Sequence, residues 1–241
     1  MPESPVTAHV WWARREDASA RLEALLDDTE RERYQGFRRD HDRQRFLVGC
    51  ALAKTVAAAR LDMAAADIVL DRSCTECGKP HGKPVVRGTD LELSVSHSGN
   101  RIAVALAIAT PVGVDVEQVE GRSRHPGGDD PDALLRYVLA DGEKTVIARQ
   151  GPDDRHRSFL VAWTRKEAVT KATGDGLRVS FKDVIVSPAT EPPIVLSWPY
   201  QERPEHVSMF DLDAGEGYVA ALAVIGRCDA VIVGDGSALL A

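Results

Sequence analysis

Three apolar segments of this 241-residue chain recur in the same order at nearly one spacing, which constrains the fold more than any other feature. Phe46-Leu47-Val48 returns as Phe159-Leu160-Val161, shifted by 113 positions. Asp67-Ile68-Val69-Leu70 returns as Asp183-Val184-Ile185-Val186, shifted by 116. Ile102-Ala103-Val104-Ala105-Leu106-Ala107 returns loosely as Val219-Ala220-Ala221-Leu222-Ala223, within one residue of that shift. One match between apolar runs carries little, but three in order predict a duplicated unit. The expected fold class is α+β. It is a pseudo-twofold duplication of two similar α/β halves, each a small, mainly antiparallel sheet packed against a long helix. The expected boundaries are 1–110, 111–225 and a C-terminal appendage, 226–241. Two such halves would meet in a cleft, a usual place for a ligand.

Local patterns fill in the halves. His9–Ala13 reads as a short strand and Asp17–Leu26 as an amphipathic helix. Thr29 with Glu32 three residues on reads as a capping box. Asp40–Leu61 is expected to be a long helix burying Phe46, Leu47, Cys50, Val56 and Leu61. Strands are expected at Asp67–Leu70, Leu91–Ser96, Arg101–Ala109 and Val112–Val119. Glu120–Pro131, rich in Gly, Arg and Asp, is expected to be a mobile loop. Helices should follow at Asp132–Leu139, Gly142–Arg149 and Asp154–Thr173. Strands at Phe181–Val186, Ile194–Trp198, Val207–Leu212 and Tyr218–Ile225 should complete the fold.

Composition excludes some classes. A net charge of −7 argues against a broad nucleic-acid footprint, although one basic pocket could still hold a small polyanion. No apolar run approaches the roughly 20 residues of a membrane span. Met1–Ala8 lacks the basic and apolar regions of a signal peptide. Cys50, Cys74, Cys77 and Cys228 show no secreted disulfide framework. The cytoplasm is the expected compartment.

The chemistry-bearing residues fall into a few clusters. In Val112-Gly113-Val114-Asp115-Val116-Glu117, alternation puts Asp115 and Glu117 on one face of a strand. Pattern alone also fits an edge strand with its polar face in water. Two like charges at that spacing repel unless a cation sits between them, and hard oxygens suit Mg²⁺. In Trp163-Thr164-Arg165-Lys166-Glu167-Ala168-Val169-Thr170-Lys171, Glu167 and Lys171 share a helix face. By spacing alone they make a surface ion pair; beside the Asp115/Glu117 strand they add a third carboxylate and a cation for phosphate charge. Val95-Ser96-His97-Ser98-Gly99 ends a strand in a phosphate-sized corner. A Ser-His nucleophile pair is disfavoured there, because neighbours on an extended chain point to opposite faces. Cys74-x-x-Cys77 with His81 offers three zinc ligands, but a fourth is not evident nearby, so the balance lies against zinc. Lys79 and Lys83 make a phosphate-facing loop the stronger reading of that segment. Arg43 and Arg45 begin the first long helix, where an anion is also favoured.

Taken together, these blocks resemble the 4′-phosphopantetheinyl transferases of the Sfp-like class. The resemblance rests on His81-Gly82-Lys83-Pro84, Val95 to Gly99, Val112 to Glu117, and Trp163 to Lys171 followed by Gly174 to Leu177. It runs from the Arg45 helix to about Ile225. The resemblance implies Mg²⁺ on Asp115, Glu117 and Glu167. Glu167, Lys171 and Asp115 become the catalytic residues, with Glu167 as general base and Lys171 on the phosphate and leaving group. Lys166, Lys171, Lys83, Ser96 and His97 would hold the coenzyme A phosphates, and Arg45 the nucleotide end, with Arg33 a looser match. Glu30 stands where the family often has a basic residue, which puts that contact in question. Residues 1–110 would then carry nucleotide contacts and 111–225 the metal, the base and carrier docking, through the loop after Glu117 and the helix Leu134–Leu139.

The implied reaction moves 4′-phosphopantetheine from coenzyme A to a serine of an apo acyl or peptidyl carrier protein and releases adenosine 3′,5′-bisphosphate. By analogy only, length and duplication lean toward polyketide or nonribosomal peptide synthases and a monomer, with no nucleic-acid or membrane partner. The rival readings are a metal-dependent phosphohydrolase and a non-catalytic zinc-bearing interaction module.

Overall fold

A computed structural model of the chain describes residues 6–74, 77–120, 131–199 and 206–241. In chain order its elements are β1 (Thr7–Arg14), α1 (Asp28–Gly36), α2 (Asp40–Leu61), β2 (Asp71–Ser73), β3 (Pro80–Val85), β4 (Leu91–Ser98), β5 (Arg101–Ile108) and β6 (Val112–Gln118). Then come α3 (Pro131–Val138), α4 (Asp141–Ala148), α5 (Pro152–Thr173), β7 (Ile185–Val186), β8 (Val195–Ser197), β9 (Val207–Asp211), β10 (Tyr218–Ile225), β11 (Ala230–Asp235) and α6 (Gly236–Leu239). No helix among the described residues is long and apolar enough to cross a membrane. The chain divides into two units, residues 1–112 with 228–241, and residues 113–227.

The first unit is a six-stranded sheet in the order β11-β1-β5-β4-β3-β2. Its pairs are antiparallel apart from β1 and β11, which run parallel. The 22-residue α2 lies on β4, β5 and β1. It buries Phe46, Leu47, Val48, Cys50, Leu52 and Val56 against Leu93, Ile102, Val104 and Leu106. Small residues let it sit close: a Cβ added at Gly49 would already lie 3.2 Å from Val95. One cation is sealed into this core. Lys54 Nζ donates to the Leu25 carbonyl at 2.8 Å and ion-pairs with the buried Glu30 at 2.6 Å. A buried charge needs such partners.

The second unit repeats the plan on a smaller scale, with a sheet β6-β10-β9 and the equally long α5 against β10 and β9. Phe159, Leu160, Trp163, Val169 and Phe181 pack with Val219, Ala221 and Ala223. Gly174, in the left-handed region at φ 78°, ends α5. β7 and β8 form a separate two-stranded hairpin. The order β6-β10-β9 mirrors β1-β5-β4, and the repeated Phe-Leu-Val segments fall in α2 and α5.

Several local expectations change. Residues 17–26 form no α-helix; two 3₁₀ turns, Arg15–Asp17 and Ala20–Leu25, are separated at Ser19, whose backbone is extended. The capping box at the start of α1 is made by Asp27 and Glu30, two residues earlier than expected, with reciprocal bonds of 2.8 and 3.1 Å. Asp67 is the last residue of a 3₁₀ turn, Ala65–Asp67, and the strand begins only at Asp71. Phe181–Val186 begins as a turn, with only Ile185 and Val186 in strand. The segment after Arg227 is no appendage: β11 forms an edge of the first sheet, because its backbone completes the pairing of β1 from Thr7 to Trp12. Most of the expected loop Glu120–Pro131 lies outside the described residues.

Candidate active site

In the second unit, β6 and α5 approach so closely that a side chain at Gly113 is impossible. A Cβ there would stand 2.0 Å from the Ala168 carbonyl oxygen and 2.4 Å from the Ala172 amide nitrogen. That approach sets Asp115 beside the α5 face carrying Glu167 and Lys171. Asp115 is buried, and Lys171 Nζ donates to its Oδ1 at 2.6 Å. Glu117, two residues on and half-buried, faces the same lysine electrostatically.

The electrostatics are those of excess acid around one base. Burial pushes the Glu167 carboxyl up to about 7; Lys171 pulls against this and Asp115 adds to it. Burial works to lower the Lys171 ammonium, but Asp115, Glu167 and Glu117 together outweigh it and hold it above its ordinary value. Three acidic groups around one ammonium leave an excess of acid in a partly buried place. A hard divalent cation suits such a donor set, since oxygen ligands are all it offers. In this arrangement the lysine neutralises Asp115. Among the described residues, the three carboxylates do not form a group with oxygens all within 4.8 Å of one another.

Other motif residues on α5 turn inward. Trp163 packs edge-on to Phe181 with ring centres 5.4 Å apart. Lys166, expected to hold phosphate, is fully buried. Its Nζ donates to the carbonyls of Val138 and Phe181 at 2.8 and 2.9 Å and to Glu143. An ammonium has three hydrogens, so in this arrangement Lys166 ties α5 to α4 and the Phe181 turn instead of facing an anion. Arg165 went unnoticed in the sequence. It is fully buried, grips Asp211 on β9 with Nε and Nη2 at 2.9 and 2.6 Å, and donates to the Ser187, Pro188 and Glu191 carbonyls. An Arg directly before the Lys-Glu pair was the only signal for it.

In the first unit, the structure brings Arg45 to the turn after β4, where Nη1 donates to the Gly99 carbonyl at 3.2 Å and Nη2 to Asp42. Ser96 is buried and His97 exposed, on opposite faces of β4. Lys83 pairs with Glu92. Arg33 lies over the Phe46 ring at 5.1 Å and donates to the Pro80 carbonyl at 2.8 Å. Arg43 caps the turn before α2 by donating to the Phe37 carbonyl. Glu30 serves the α1 box and Lys54, a structural task that explains an acid at that position. Lys79 lies in the β2–β3 turn.

Comparison with known proteins agrees with both units. Residues 111–223 match the family model described as the 4′-phosphopantetheinyl transferase superfamily, and residues 10–109 match that of the 4′-phosphopantetheinyl transferase N-terminal region. A phosphopantetheinyl transferase from Thraustochytrium is 32% identical over 72% of this chain and 63% of its own length. A 4′-phosphopantetheinyl transferase from Bacillus subtilis is 25% identical over 88% of each chain. The Sfp protein of Bacillus subtilis strain 168 is 21% identical over 83% of each. With both units matched, and the Asp115–Lys171 pair lying inside the larger match, the chain belongs to the 4′-phosphopantetheinyl transferase family.

Proposed function

We propose that the protein transfers the 4′-phosphopantetheine of coenzyme A to a serine hydroxyl of an apo carrier protein, with Mg²⁺ as cofactor. The observation that carries the reading is the Asp115–Lys171 pair at 2.6 Å, in which the aspartate is buried, with Glu167 pushed up to about 7 beside it. Asp115, Glu117 and Glu167 would hold the ion once their side chains turn to converge on it. When bound, Mg²⁺ supplies Lewis acidity and a template for the diphosphate.

The chain's own residues do the rest. A neutral serine hydroxyl is a weak nucleophile, so a base must take its proton as the oxygen meets phosphorus. We assign that step to Glu167. The serine oxygen bonds to the phosphorus that carries pantetheine. The bond from that phosphorus to the bridging oxygen breaks, and the electron pair leaves on adenosine 3′,5′-bisphosphate. Lys171 supplies a fixed positive charge to the phosphate oxygens while this charge moves. Arg45, Lys83, Ser96 and His97 are assigned to the coenzyme A end. The loop after Glu117 and the helix α3 are assigned to carrier docking; residues 121–130 of that loop lie outside the described part. We take the working unit as a cytoplasmic monomer serving polyketide or nonribosomal peptide carriers, since one chain already contains both repeats.

The test is incubation with coenzyme A, Mg²⁺ and an apo carrier, followed by intact-mass measurement. The carrier should gain one phosphopantetheine arm, and none when its acceptor serine is replaced by alanine. Asp115→Ala and Glu117→Ala should lower turnover by roughly 100-fold or more while keeping the wild-type circular dichroism. Lys171→Ala should lower kcat more than it raises the KM for coenzyme A. Cleavage of coenzyme A with no carrier present and no arm transferred would overturn the proposal in favour of a phosphohydrolase.

A further inference from the structure

The turn between β2 and β3 gathers three metal-type donors to which the transfer reaction, as described above, assigns no role. The sequence weighed against zinc there because only Cys74, Cys77 and His81 were at hand. The folded chain alters that balance by showing how tightly those three are drawn together.

The convergence has local causes. The Gly78 amide donates to the Cys74 carbonyl at 2.9 Å, which holds these two residues together. Gly78 itself lies in the left-handed region, at φ 69°, which favours glycine. The Cys74 amide donates to the Lys79 carbonyl at 2.9 Å, which closes the mouth of the hairpin. β3 then returns very near β2, as Gly82 permits: a Cβ there would sit 3.0 Å from the Ser73 carbonyl oxygen. This return delivers His81 to the cysteines, with Nε2 3.0 Å from Cys77 Sγ. All three donor atoms lie within 4.8 Å of one another, and neither cysteine is in a disulfide.

Those distances suit one ion. Zinc bonds sulfur at about 2.3 Å and imidazole nitrogen at about 2.0 Å, so tetrahedral donors stand about 3.5–4 Å apart. Small side-chain rotations bring the observed trio to that spacing. Two sulfurs and one imidazole select a soft or borderline ion over Mg²⁺. The Asp115 cluster, all oxygen, has the opposite preference, so the two sites would not compete for one metal.

We propose that Cys74, Cys77 and His81 bind one Zn²⁺, with water as the fourth ligand, as a clasp on the β2–β3 hairpin. None of the three ligands is among the residues assigned to the transfer reaction, and His81 stands two residues from Lys83 on β3.

The test uses the full chain purified without chelator and titrated with Zn²⁺ against a chromophoric chelator. The expected result is one zinc per chain. Cys74→Ser, Cys77→Ser and His81→Ala should each weaken binding by more than about 100-fold, beyond the cost of losing an outer-shell partner. Cys228→Ser, outside the cluster, should bind as the wild type does. Co²⁺ in place of Zn²⁺ should give a thiolate-to-metal charge-transfer band in the near ultraviolet, absent from the two cysteine variants. Circular dichroism of each variant separates loss of ligand from loss of fold. No zinc uptake by the folded wild type, or equal affinity in the folded Cys77→Ser variant, would overturn the proposal.

Discussion

Glu167 and Lys166 are neighbours in sequence and face different tasks. The Glu167 carboxyl is raised from its ordinary 4.5 to about 7, chiefly by burial. Below about pH 4.5 it is protonated in both folded and unfolded chains, and its contribution to stability is fully present. As pH rises toward 7 the unfolded chain releases its proton first, so that contribution is lost by the time the folded carboxyl ionises. In metal-free protein, Glu167→Gln should therefore raise the Tm at pH 8 relative to wild type, and the gain should vanish at pH 5. Equal melting shifts at both pH values would contradict the assigned cause. Lys166→Ala removes the partner of Glu143 from a buried place and should cost about 3–5 kcal/mol in urea unfolding. The sequence identified both residues as important through the Lys-Glu motif. It did not reveal that Lys166 points inward, because a motif names residues and the helix's rotation against its neighbours assigns their faces. Arg165 was missed for the same reason: its partner Asp211 lies 46 residues away on β9.

Strand β6 and helix α5 make the site between them, and Gly113 is where they touch. Gly113→Ala would force a methyl group into the backbone of α5, with no flexible side chain able to move aside. We expect a loss of about 3 kcal/mol, read by thermal melting, and a fall in transfer activity as Asp115 moves from Lys171. The long helices and central strands were legible because their apolar periodicity extends over many residues. Short elements were not. Residues 17–26 carry helical spacing, yet the extended backbone at Ser19 divides them into 3₁₀ turns. The capping box was misplaced because Asp27/Glu30 and Thr29/Glu32 fit one pattern, and only the fold chooses between them. The Cys74 turn was legible in its residues and not in its closure, which depends on Gly82 bringing β3 against β2.

For the whole molecule, the repeat predicted two units of one plan, and the described architecture has that plan. The role of the segment after Arg227 was not legible. β11 is mostly exposed, so its side chains give little hydrophobic signal, and its attachment to β1 is made by the backbone. The helix that follows is better anchored, with Gly236 against Leu52 and Leu240 buried in the same core. A chain ended at Arg227 should show a lower Tm for the first unit and a tendency to aggregate through the bared edge of β1, checked by light scattering and melting. That arrangement also fixes an order of events during synthesis. Between the end of the first unit's main segment and its outermost strand, the ribosome must make residues 113–227. At about 5–20 residues per second, this takes roughly 6–23 seconds. For that interval the emerging sheet presents an open rim, and a chaperone able to shield it would act at that moment and have no purchase afterwards.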